Sequence, residues 1–132
     1  MKNHLSITIM IFLFVSCDPV SDMEANIENL TTQELKIDFI SFDESLNKSL
    51  QIQPNESALF QEVFDVGNTF LQPSLTDYDS VVVRNSSQAI LKIYKENSPG
   101  KNIYNVNDDW IGSEPMKRVF KYKYEIKTKD IE

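Results

Sequence analysis

The stretch KRVFKYKYEIKTKD, Lys117 to Asp130, alternates apolar and polar side chains more regularly than any other part of the chain. Phe120, Tyr122, Tyr124 and Ile126 fall on one face of an extended backbone, and Lys121, Lys123, Glu125 and Lys127 on the other. Side chains of a strand point alternately to its two faces, so this period of two predicts a β-strand with its aromatic side turned into a core. The outward lysines are a device by which sheets discourage edge-to-edge pairing.

Working back from this strand, the same signal recurs between turn-forming residues. SVVVRN (80–85) is β-branched enough to predict a strand buried on both faces, and QAILKIYKE (88–96) pairs with it across the NSS turn. SALFQEVFD (57–65), SLQIQP (49–54), ELKIDFISF (34–42) and NIENLTT (26–32) complete the set, the third of these ending at Asp, Asn and Ser residues that favour turns. IYNVNDDWIGSEP reads as loop, and helical periodicity is slight throughout. About seven short strands predict an all-β chain, a single immunoglobulin-like β-sandwich in the loose sense over 26–132, with a small closed barrel as the alternative.

The N-terminal end is different. Lys2 is followed by eleven apolar-rich residues, Leu5 to Val15, and the run stops at Ser16-Cys17-Asp18. Eleven helical residues span about 16 Å, short of the ~30 Å hydrocarbon core, so the length suits a secretory signal over 1–16 better than a membrane-spanning helix. FVSC at 14–17 resembles a bacterial lipobox, with Phe14 in place of the preferred Leu. That resemblance implies cleavage before Cys17 and acylation of its sulfur and amine (thioether-linked lipid and an amide-linked chain such as palmitate). Two or more chains give stable retention, because each buried CH₂ contributes about 0.8 kcal/mol. Residues 17–25 then read as the acylated cysteine and a polar tether.

Removal of 1–16 takes Lys2 away and leaves 12 basic against 20 acidic residues, a formal charge of −8. Residues 17–79 hold 13 of the acids and only Lys36 and Lys48 as bases, whereas 80–132 hold ten bases and seven acids. Such a chain has no electrostatic case for nucleic acid. Its basic last strand is expected to pair with the acidic half of its own domain, with an anionic external surface as the other reading.

The chain resembles a broad group of small Bacteroidota lipoproteins. The resemblance rests on FVSC, NIENLT, DYDSVVVRN and the ending NIYN…DDW…FKYKYEIKTKDIE, in which Thr128 is displaced by one position from the group's usual ending. It implies a β-sandwich held at the cell envelope, on the outer membrane, with no established biochemistry. SDMEA (21–25) is similar to an acidic surface-export tether, displaced from its usual place beside the cysteine. Asp79-Ser80-Val81 fits an O-glycosylation pattern at Ser80, and the simpler reading is that Ser80 opens a strand.

Several chemistries are excluded by residue type. The only histidine, His4, and the only cysteine, Cys17, are lost or acylated, so no imidazole or thiol serves a nucleophilic triad or a typical zinc site. Three scattered glycines make no phosphate-binding loop. No catalytic residue, metal or cofactor is assigned. Asp77 and Asp79 read as turn aspartates rather than calcium ligands, since the series lacks a third ligand at Val81 and a glycine. Trp110 on the loop NDDWIGS has two readings. It caps the core, or it stacks on a sugar ring while Asn107, Asp108 and Asp109 take hydroxyls. The function expected is a non-catalytic, lipid-anchored interaction domain for an envelope partner, with a glycan-binding module built on Trp110 as the alternative. Hydrolysis by Asp108 or Asp109 is the least favoured.

Overall fold

A computed structural model of the chain describes residues 18–132. The signal segment, with His4 and Cys17, lies outside the described residues. Eight strands run in order: β1 (Val20–Leu30), β2 (Leu35–Ile40), β3 (Lys48–Ile52), β4 (Ser57–Val66), β5 (Ser80–Arg84), β6 (Ile90–Tyr94), β7 (Ile111–Met116) and β8 (Val119–Lys127). They form two four-stranded sheets, β4-β1-β8-β7 and β3-β2-β5-β6, that pack as a β-sandwich. All neighbours are antiparallel except β1 and β8, which run parallel. The immunoglobulin likeness holds for two packed, mainly antiparallel sheets. The strand order is its own, with the first strand set between the fourth and the last.

The alternation of β8 is borne out in full. Phe120, Tyr122, Tyr124 and Ile126 are buried, and the opposite face meets solvent. The edge-protection reading is corrected, because β8 lies inside its sheet with β1 on one side and β7 on the other. Its lysines instead answer the acids of β1. Lys123 Nζ lies 3.1 Å from Glu28 and 3.3 Å from Glu125, and Lys121 Nζ lies 3.9 Å from Glu24. Solvent screens these half-exposed pairs, so they help to set register more than stability.

Two expected boundaries move. The tether reading of 18–25 is corrected: β1 begins at Val20, and Ser21, Met23 and Ala25 are buried within it. Acidic residues at 22 and 24 disguised the alternation, because they occupy the outward face. The second change is β7, read as loop. It is an edge strand exposed at every residue, and its pairing with β8 is interrupted between Ser113 and Met116, around Pro115. Proline and glycine are tolerated there because an edge strand has a free side.

The core is aromatic and crosses both sheets. A bulge between Ala25 and Asn26 of β1 leaves Phe60 of β4 as the extra residue and turns its ring inward, 4.6 Å from Phe39 of β2 in a stacked pair. Val81 and Val83 of β5 are fully buried on the inner face, and Val82 is 5% exposed on the outer one, as its composition predicts. Gly112 of β7 lets Tyr122 lie close against the backbone: a Cβ there would stand 3.0 Å from the ring. Tyr122 is held by its hydroxyl, which donates to the Leu71 carbonyl at 3.0 Å, so it cannot swing freely. Gly112→Ala is expected to lower stability by about 1 kcal/mol, read as a fall in the urea midpoint with unchanged slope.

Candidate functional site

The residues singled out at 107–110 sit between β6 and β7, in a loop organised by Asn102. The Asn102 side chain is fully buried. Its Nδ2 donates to the carbonyls of Lys95 (2.7 Å), Glu96 (3.3 Å) and Ser98 (3.3 Å), and its Oδ1 accepts from the Tyr104 amide at 3.2 Å. Loop backbone that must be buried needs such partners, and one amide side chain can supply several of them. Asp109 closes the loop, its Oδ2 accepting from the Asn102 amide at 2.8 Å and from Asn105 Nδ2 at 3.2 Å. A single helical turn, α1 (Val106–Asp109), then delivers the chain to Trp110.

Trp110 is 5% exposed. Its ring centre lies 5.4 Å from Tyr124 and 6.0 Å from Phe60, and its Nε1 donates to the Ile103 carbonyl at 2.7 Å. The sugar-stacking reading of Trp110 is therefore corrected: a stacking platform needs an open ring face, and this indole is packed inside the sandwich. Asn107 stays at the surface, its Oδ1 accepting from Gln72 at 3.0 Å, and Asp108 is exposed beside it. The four residues are neighbours in the chain, but the structure divides them between core, loop closure and surface.

Beside this loop a shallow groove of about 280 Å³ is lined by Leu75, Tyr78, Glu96, Tyr104 and Val106 among others. It is at the small end for a ligand site, which usually exceeds about 300 Å³. Tyr104 Oη donates to the Tyr78 carbonyl at 3.0 Å. Burial, reinforced by Asp79 and Glu96, pushes that hydroxyl up to about 12, so it remains a donor at any physiological pH. Ser80 opens β5 and is half-buried on the outer side of its sheet, paired with Ile40. Asp77 and Asp79 are exposed in the loop before it, and no group of three or more potential metal ligands gathers among the described residues.

Other groups did not announce themselves as important. Lys101 Nζ donates to Asp130 Oδ2 at 2.8 Å and to the Glu125 carbonyl, and it lies 5.0 Å over the Tyr124 ring. Burial alone would raise the Asp130 carboxyl; the Lys101 hydrogen bond, the Lys127 amide and the charges of Lys101 and Lys129 outweigh it and hold the group below its usual range. Nearby, Tyr94 and Tyr124 meet edge to face at 6.1 Å, with both hydroxyls buried and, among the described residues, without hydrogen-bond partners. Burial pushes both hydroxyls up. Asn29, one of four Asn-x-Ser/Thr positions, is fully buried. Its Nδ2 donates to Gln33 (2.7 Å) and Ile52 (2.9 Å) carbonyls, and its Oδ1 accepts from the Thr31 amide and hydroxyl. The Asn-x-Thr pattern here is a device for the turn after β1.

Among the described residues no helix is long and apolar enough to cross a membrane. No protein-family model, curated protein or solved structure matches the chain.

Proposed function

We propose that this chain is a lipid-anchored protein of the bacterial outer membrane, whose β-sandwich is a non-catalytic module for an envelope partner. The observation that carries the reading is the apolar run Leu5–Val15 ending at Ser16-Cys17, with the only cysteine of the chain at that point. Acylation there would give membrane retention without a spanning segment. Residues 18–132 contain neither histidine nor cysteine, which removes the commonest nucleophile and general-base pairs and favours binding over catalysis. The resemblance to small Bacteroidota lipoproteins points the same way.

Cys17→Ser is expected to abolish incorporation of an alkyne-tagged palmitate and to release the protein from the membrane fraction. Label retained in that variant, or wild-type protein washed off by carbonate, would sink the proposal. Protease treatment of intact cells then assigns the face: digestion places the domain outside, and protection until lysis places it in the periplasm.

A further inference from the structure

We infer that the outer face of the β4-β1-β8-β7 sheet, at the end where β1 begins, lies against the surface of the bilayer that holds Cys17. This rests on the lipid anchor proposed above and adds an orientation to it.

The first support is the length of the tether. Only Asp18 and Pro19 separate Cys17 from β1. Pro19 is already fixed, its carbonyl accepting from the Gly67 amide at 2.6 Å, while Ser21 Oγ donates to the Gly67 carbonyl at 3.0 Å. Arg118 Nε donates to the Val20 carbonyl at 3.2 Å, and the Asp22 amide donates to the Arg118 carbonyl at 2.9 Å. Two extended residues reach about 7 Å at most. A lipid on Cys17 therefore leaves this end of the sandwich no room to stand clear of the headgroups.

The second support is what that end presents. Val20 pairs with Val66, and Asp22 pairs with Phe64 on one side and Val119 on the other, with Met116 next to Val119. Paired residues share a face, so these side chains form two adjoining rows on the outside of the sheet. Phe64 is 64% exposed, Val66 62% and Met116 69%. Phe70, 62% exposed, lies against Phe120 at 5.1 Å on the inner side of the same sheet and is outside these rows. Single exposed apolar residues are ordinary, but a cluster beside a lipid attachment point is not. Asp22 interrupts the rows and Lys117 and Arg118 stand in the adjoining turn, a mixture of apolar, aromatic and charged groups that suits the headgroup level of a bilayer. Phe42, 96% exposed, stands in the loop after β2 and is outside the cluster.

The test uses the acylated full chain in vesicles of phosphatidylethanolamine and phosphatidylglycerol. With Cys17 in a thioether, Phe64→Cys, Met116→Cys and Ser86→Cys each offer one thiol for an environment-sensitive fluorophore, Ser86 lying in the turn at the far end of β5. Brominated lipids are expected to quench the probes at 64 and 116 several-fold more than the probe at 86, with blue-shifted emission at the first two. Equal quenching at all three positions, in protein that floats with the vesicles, overturns the orientation and leaves the anchor standing. Shielding at 64 that grows with protein density and ignores brominated lipid assigns the face to a second copy and also overturns it. Protein that does not float overturns the anchor, and this inference with it.

Discussion

Trp110→Ala is expected to cost about 3–5 kcal/mol of stability, the range for truncating a buried large aromatic. The indole fills the space between Phe60 and Tyr124, and its N–H is the donor to the Ile103 carbonyl. Removal therefore opens a cavity and orphans an acceptor together. Trp110→Phe keeps a ring and loses the donor, and about 1–2 kcal/mol of its cost reflects the unpaired carbonyl. Urea unfolding followed by far-ultraviolet circular dichroism measures both variants without the tryptophan signal. A Trp110→Ala protein with unchanged midpoint would contradict the buried placement and restore the indole to the list of ligand platforms.

Lys101→Met is the second substitution with a large expected effect, a loss of about 2 kcal/mol near neutral pH. Breaking a fully buried ion pair costs about 3–5 kcal/mol. The Lys101 side chain retains 29% of its exposure while that of Asp130 retains 8%, so solvent reduces the figure. The sign with pH follows from the depressed Asp130 carboxyl. Its stabilisation is fully present above the unfolded carboxylate range, near pH 4, and is lost as pH falls through the lower folded value. Wild type and variant are thus expected to differ most at pH 6–7 and to converge in acid. A difference that persists unchanged on acidification would mean that Lys101 acts through packing on Tyr124 instead of through its charge.

How much of this was legible in the sequence differs by element, for physical reasons. β8 and β5 were readable because burial dictates each of their residues, one by alternation and the other by continuous β-branching. β7 was not, because every one of its residues is exposed and pairing alone holds it. The first half of β1 was hidden for a related reason. Its inward residues, Ser21, Met23 and Ala25, are small or flexible, and its outward acids mimic a solvated linker. At the loop site, the choice for Trp110 turned on contacts with Phe60 and Tyr124, fifty residues earlier and fourteen later, which no local window contains. Asn102, Asn29 and the Lys101–Asp130 pair left no signal, since an asparagine or lysine that satisfies buried backbone has the same letter as one in water.

The parallel pairing of β1 with β8 also decides how the molecule bears load. Nine residue pairs, from Asp22 with Val119 to Leu30 with Lys127, link the first strand to the last. Both strands point away from residue 18, so the C-terminal residue emerges at the opposite pole, about 30 Å along the strand direction. A pull between the two ends of the domain slides β1 and β8 past each other along their length. Their interstrand hydrogen bonds then resist in parallel and must yield together, whereas an antiparallel pair pulled from one end opens like a zip, one bond at a time. Traction along the β1–β8 direction therefore meets more resistance than the same pull would meet in an antiparallel pair.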